Sequence, residues 1–149
     1  MPVEDHASLA EAILLNSLVV AVVVLLHYEA LIRLSSLLVK IQLRHRFRLI
    51  VAVFGLLLAH SLQVWVFAIA YYWMHHASGW GLLVGNFTGS LLDCVYFSFS
   101  TFTTVGYGDV EPIGALRFLT GIEGLTGLVL ISWSASFLFV EMQRYWPKR

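Results

Sequence analysis

The chain has 149 residues, of which 59% are hydrophobic and only 12% charged, and its nine basic residues balance nine acidic ones. That composition excludes an ordinary soluble domain, and the length permits only a few membrane spans. The single Cys94 excludes an internal disulfide, and its apolar setting suits a small packed residue.

Ser8 to Leu26 forms an apolar run of the length a bilayer core requires, broken only by Glu11 and Asn16. Glu4, Asp5 and His6 precede it where a signal peptide would carry basic residues, and no small-residue cleavage site follows, so it reads as a retained span. Next, Leu31, Leu34, Leu38 and Ile41 recur at helical spacing, with Arg33, Ser36, Lys40 and Arg44 on another face. This predicts an amphipathic helix over 28–46, lying on the inner membrane surface. It reads first as a topology anchor; the sharper reading is a contact for anionic lipid at Arg33, Lys40, Arg44, Arg46 and Arg48. A voltage sensor would repeat arginine every third residue inside an apolar span, and these crowd the polar end of a linker. Leu49 to Met74 supplies a second span, long enough to cross with tilt, and Leu116 to Val140 a third.

Between the second and third spans, Ser90 to Phe102 is apolar and aromatic but too short to cross a bilayer. It is predicted as a half-helix that enters from one side, capped by Ser90 and Asp93. Its far end, near Thr101, aims partial negative charge into the membrane. The chain then returns through Thr103-Thr104-Val105-Gly106-Tyr107-Gly108-Asp109, where Gly106 and Gly108 permit backbone angles of alternating hand. Non-helical backbone at this depth is tolerated only under a cover of protein or water.

Basic residues orient the whole. Of the nine Lys and Arg, five (Arg33, Lys40, Arg44, Arg46, Arg48) lie between the first and second spans and three (Arg144, Lys148, Arg149) follow the third, leaving Arg117 elsewhere. The positive-inside rule puts that connection and the C-terminus in the cytoplasm, and the N-terminus and re-entrant loop outside. Tyr71, Tyr72, Trp73 and Trp80 are expected at the outer interface, Tyr145 and Trp146 at the inner.

Residues 90–142, with the second span, resemble the pore module of the two-transmembrane potassium-channel superfamily. The resemblance rests on Tyr96-Phe97-Ser98-Phe99, on Thr103 to Asp109 with its Thr-Val-Gly-Tyr-Gly filter sequence, and on Pro112. It implies an all-α membrane protein: three transmembrane helices with a re-entrant pore helix and filter. The assignment is an N-terminal transmembrane helix over 1–27, a basic linker helix over 28–48, a pore domain over 49–142 and a cytoplasmic tail over 143–149. Within the pore domain the outer helix takes 49–74, the turret 75–89, the pore helix 90–102, the filter 103–109 and the inner helix 116–141. Carbonyls of Thr104, Val105, Gly106 and Tyr107, with the Thr104 hydroxyl and Gly108, would replace the water of a potassium ion. The Val105 and Tyr107 side chains would pack behind them. One filter strand cannot enclose an ion, so the resemblance implies a homotetramer in the cell membrane.

Many bacterial relatives carry, where this chain has Ser100, a pore-helix Glu that bonds the Asp after the filter, here Asp109. Thr103, Asp109, Ser100 and Glu123 are therefore the expected filter supports. Glu123, ~10 Å along the third span from Leu116, would accept from Ser98, Ser100, Thr101 or Thr103, and a purely structural role stands beside that reading. Gly127 falls where the family places a hinge, and Gly121 and Gly124 suit close helix packing. Leu128, Ile131, Ala135 and Phe139 would line the cavity. No regulatory domain is expected after Arg149, so the gate belongs to the membrane part. His60 and Gln63 are expected to link the second span to the first at Glu11 and Asn16. His75 and His76 in the outer loop read as bystanders or as external pH sensors. Asn86-Phe87-Thr88 matches the glycosylation pattern. The alternatives are a poorly selective cation channel, disfavoured by Tyr107, and a regulatory subunit, disfavoured by the intact filter. No catalytic cluster points to an enzyme, and no nucleic-acid partner is expected.

Overall fold

The computed structural model describes residues 9–40 and 45–145. Glu4, Asp5, His6, Ser8, Ile41, Arg44, Trp146, Lys148 and Arg149 lie outside the described residues, as do the side chains of Arg46 and Tyr145. In chain order the elements are α1 (Leu9–Lys40), α2 (His45–His76), β1 (Leu82–Gly85), α3 (Leu91–Phe102), β2 (Val110–Ile113) and α4 (Leu116–Tyr145).

Three helices, over Ala10–Lys40, Phe47–His76 and Leu116–Arg144, are long and apolar enough to cross a membrane. At ~1.5 Å per residue each exceeds the ~30 Å hydrocarbon core, so their ends project beyond it. Helix α3 has 12 residues, ~18 Å, and stops partway. Large exposed side chains such as Leu14, Leu25, Leu58 and Leu125 suit a multi-pass membrane protein, since water would not tolerate so much apolar surface.

Helix α1 runs without a break through the boundary expected at 27 and 28. Residues 25–40 hold no Gly or Pro to interrupt the backbone hydrogen bonds. The stripe Leu31, Leu34 and Leu38 does not lie on a lipid surface; it packs on Ala52 and Leu56 of α2, with Phe137 and Leu138 of α4 beside it. The exposed Arg33 pairs with Glu29 one turn away, at 3.4 Å. The periodicity was genuine, and what it faces is protein.

A larger core gathers Val19 and Val23 of α1, Val64, Phe67, Ala68, Tyr71 and Met74 of α2, Cys94, Val95, Phe97 and Phe102 of α3, and Leu116, Leu119 and Leu130 of α4. Helix α3 is thus wedged between α2 and α4. Tyr71 is wholly buried in this core, so it is no interfacial anchor, whereas Tyr72 and Trp73 are exposed. Gln63 reaches α1 at His27, not at Glu11 or Asn16. Asn16 lies 11 residues from His27, ~16 Å along the helix, too far for the same partner.

Strands β1 and β2 pair antiparallel, Leu82 opposite Ile113 and Gly85 opposite Val110. They were not foreseen, because the turret reads as loop. Their effect is to strap the entry to α3 against the segment that follows residues 103–108: the Asn86 amide donates to the Asp109 carbonyl at 2.8 Å.

Core packing should dominate stability even in lipid. Phe67→Ala, at a side chain with no exposed surface, is expected to destabilise the protein by about 3 kcal/mol. Leu58→Ala, on an exposed face, should cost less than about 0.5 kcal/mol. Thermal unfolding of the purified variants in one detergent compares the two.

Candidate functional site

The start of α3 is closed by side chains. Ser90 has extended backbone, and its hydroxyl accepts the Asp93 amide at 3.1 Å. The Asp93 carboxylate in turn accepts the Thr88 amide at 2.8 Å and the Thr88 hydroxyl at 2.5 Å. These Thr88 bonds hold the Asp93 carboxyl below its ordinary range. The glycosylation-pattern segment therefore has a structural use, with Thr88 fixing the cap and Phe87 lying 4.8 Å from the His75 ring.

At the other end the helix turns into irregular backbone with its amides directed back at the last turn. Thr103 donates to the Phe99 carbonyl at 3.2 Å, Thr104 to Thr101 at 2.9 Å and Gly106 to Ser100 at 3.0 Å. The backbone adopts positive φ at alternate residues: Thr104 at 60°, Gly106 at 54° and Gly108 at 77°. Glycine takes that conformation freely, whereas Thr104 pays ~1 to 2 kcal/mol for it. Composition hides this, since Thr carries no such signal. Alternating hand turns successive carbonyls toward one side, and residues 103–108 are all exposed in the single chain.

Support for this loop comes from a residue the sequence reading did not select. The Tyr96 hydroxyl donates to Asp109 Oδ2 at 2.9 Å, and its ring stacks on Tyr107 at 6.2 Å with 7° between planes. Tyr96 stands four residues before Ser100, on the same helix face, and that spacing was the available signal. Ser100 Oγ turns back to the Phe97 carbonyl at 2.9 Å, so only its backbone touches the loop. Thr103 Oγ1 likewise bonds the Phe99 carbonyl, at 2.7 Å. The side chains of Val105 and Tyr107 are exposed, 55% and 68%, so within one chain nothing packs over them fully.

Glu123 is wholly buried on α4. Its Oε2 accepts the Tyr71 hydroxyl of α2 at 2.5 Å, and its Oε1 hydrogen-bonds the Ser98 hydroxyl of α3. Ser98 Oγ also lies 3.0 Å from the Val64 carbonyl. Of the four hydroxyls expected, Ser98 is the one that meets Glu123. Tyr71 was missed because an aromatic at a span end reads as an interface anchor.

Gly127 faces the end of α3. A Cβ built there would drive into the Phe102 carbonyl, with the carbonyl carbon only 2.9 Å away. At Gly124 the nearest atom would be the Thr101 oxygen at 3.7 Å, and at Gly121 nothing stands within 4 Å. Close packing is thus strongest at the position the resemblance marks as a hinge. Leu128, Ile131, Ala135 and Phe139 share one exposed face of α4. His75 Nδ1 accepts the Leu83 amide at 3.1 Å, and His76 Nδ1 meets the Tyr72 carbonyl at 2.8 Å. No group of three or more His, Cys, Asp or Glu among the described residues is arranged to hold a metal ion.

A short helix held between two spanning helices and ending in backbone of alternating hand is the architecture of a channel. The profile of a family described as "Ion channel" matches residues 49–144, so the chain belongs to that ion channel family, in the potassium-channel pore-module superfamily its filter sequence resembles. That family is one of channels and not of enzymes. Over 57 residues it is 37% identical to the inward rectifier potassium channel Kirbac3.1 of Paramagnetospirillum magnetotacticum, an alignment covering 38% of this chain and 19% of that relative. The chain thus spans about a fifth of the length of the relative it matches. No solved structure matches it.

The contact at Gly127 gives a test. Gly127→Ala must push α4 off Phe102 and should cost about 3 kcal/mol, in the range of overpacking. Gly121→Ala should be neutral or slightly stabilising, since Ala favours helix. Folded yield and melting temperature measured side by side decide it; equal behaviour would remove the close approach.

Proposed function

We propose that the chain is the subunit of a potassium-selective channel, four copies of which surround one conduction path. The observation that carries this reading is the alternation of positive φ at Thr104, Gly106 and Gly108 inside the sequence Thr103 to Asp109. That backbone offers carbonyls of Thr104, Val105, Gly106 and Tyr107 to one side, in place of the water an ion must shed. Amides of Thr104 and Gly106 are occupied by the pore helix, so the loop presents acceptors rather than donors to a cation. Exposed Val105 and Tyr107 support the assembly, because neighbouring copies would cover side chains that lipid and water leave bare.

In this reading Asp109 is held by Tyr96, which takes the part that a pore-helix Glu plays in many bacterial relatives. Glu123 acts one layer further back. It fastens α3 to α2 and α4 through Ser98 and Tyr71, so the filter rests on a helix that cannot tilt. The face of Leu128, Ile131, Ala135 and Phe139 lines the cavity, and a ring of four Phe139 side chains closes it by dewetting. Distribution of Lys and Arg supports an outside N-terminus and a cytoplasmic C-terminus. Exposed Arg33 and Lys40 stand at the inner end of α1, where acidic headgroups would meet them.

Purified protein in liposomes under a potassium–sodium gradient should reverse close to the potassium potential and be blocked by barium. Reversal near zero would leave a poorly selective channel, and absence of flux would leave a regulatory subunit.

Glu123 separates support from bystander. Glu123→Gln keeps the shape and, accepting from one hydroxyl while donating to the other, can keep much of the hydrogen bonding, and should preserve a stable assembly. Glu123→Val removes the acceptor that joins the three helices and leaves Ser98 only the Val64 carbonyl and Tyr71 only Thr120 Oγ1 at 3.4 Å; losing the shared bonds, at ~1 kcal/mol each, should lower the melting temperature and speed the decay of current. Equal stability and decay in both variants would make Glu123 idle.

A further inference from the structure

Away from the filter region, four polar side chains cross the helix packing in one line. Gln63 of α2 is wholly buried; its Nε2 lies 2.9 Å from His27 Nδ1 on α1, and its Oε1 lies 2.9 Å from His60 Nδ1 one turn earlier on α2. His60 Nε2 lies 2.9 Å from Ser134 Oγ on α4. The two imidazoles stack with centroids 5.4 Å apart. Trp133 of α4 stands 5.2 Å from the His27 ring, and Phe102, the last residue of α3, stands 5.7 Å from the His60 ring. His27 has no exposed surface, and its Nε2 has no hydrogen-bond partner among the described residues. Apolar side chains would pack this space without desolvating four polar groups, and polar residues inside a membrane are expensive to keep.

The amide determines how many protons the line can hold. With Oε1 toward His60, that ring donates from Nδ1, and the Gln63 amide nitrogen donates to a bare Nδ1 on His27. Turning the amide over exchanges the two roles. Either way, one Nδ1 carries hydrogen and the other accepts. One imidazolium fits: a charged His60 donates from Nδ1 to Gln63 and from Nε2 to the Ser134 oxygen. Two do not fit, because a single amide has one acceptor, and two like charges would face each other across stacked rings. The groups facing the pair are Gln63 from α2, Ser134 and Trp133 from α4 and Phe102 from α3, and none of these carries a charge.

We propose that His27, Gln63, His60 and Ser134 form a proton-sensitive strut by which the N-terminal helix controls the inner helix, and that a second proton on the histidine pair breaks it. While the strut holds, α1 and α2 pin α4 at Ser134, next to Ala135 on the cavity face and against the end of the pore helix. Once the pair is doubly charged, Gln63 can bridge only one ring, and α4 is released to move at the level of its gate. This regulation rests on the channel reading of residues 103–109.

The test uses the full-length protein in planar bilayers, with potassium current recorded with both chambers at about pH 7.5 and again at about pH 3.5, low enough to load a second proton onto a buried pair whose charges repel. Open probability should change by about tenfold or more in the parent, since one linked proton gives a factor of about ten for each pH unit over which it titrates. Gln63→Leu removes the bridge, and His60→Gln removes one of the two titrating rings while retaining an amide. Both should conduct at neutral pH and respond less than about twofold to acid. Nitrogen-15 spectra of labelled histidine in the folded parent should show the pair taking up protons in two separated steps. An unchanged acid response in both variants, or single-step titration of the two rings, would overturn the strut. Potassium-selective current with a flat pH response in the parent would also sink it while leaving the channel reading intact. Unselective current at neutral pH would instead sink the potassium-selective reading, and the spectra would then judge the strut alone.

Discussion

Irregular backbone can stand inside a membrane only if its amides and carbonyls are provided for, and everything in this fold serves the seven residues from Thr103 to Asp109. The amides of Thr103, Thr104 and Gly106 are turned back onto the final carbonyls of α3. The backbone of the loop alternates in hand, with positive φ at Thr104, Gly106 and Gly108. A loop built this way has committed these three donors to the helix that precedes it. It also has no stiffness of its own, so its position must be borrowed from whatever holds α3.

Three devices hold α3, and each works by a different interaction. At its start, Ser90, Asp93 and Thr88 satisfy free amides by side-chain capping. Along its flank, Ser98 meets the buried carboxyl of Glu123, which also takes the Tyr71 hydroxyl, so that one group joins three helices. At its end, Gly127 lets α4 approach the Phe102 carbonyl more closely than any side chain would allow. In lipid, apolar burial does little to drive helices together, and small residues and hydrogen bonds carry more of the specificity. The placement of polar side chains here follows that rule. The Tyr96 bond to Asp109 and the line from His27 to Ser134 extend it to the end of the irregular loop and to the first helix.

That first helix is the part whose meaning changed most between sequence and structure. Its basic, periodic second half suggested a separate element resting on the membrane surface. A lipid-facing stripe and a protein-facing stripe of leucines have the same spacing, because both obey the helical period. Continuity through residues 27 and 28, and the packing of Leu34 and Leu38 against α2, make α1 a long partner of the channel core rather than an anchor beside it.

The sequence by itself determined the number of spanning helices, the short re-entrant helix with its Ser90 cap, the run that forms the irregular loop, and the burial of a carboxyl at Glu123. These are legible because they depend on local quantities: the length of apolar runs, the chemistry of a cap and the freedom of glycine. Tertiary structure alone decided which groups meet. Tyr71 and Tyr96 were chosen as hydrogen-bond donors, His27 took the place of Asn16 as the partner of Gln63, Gly127 became the point of closest approach, and two short strands formed where only a turret was expected. Each of these depends on how helices are rotated and set against one another, and such contacts between residues distant in the chain leave no periodic mark in any one segment.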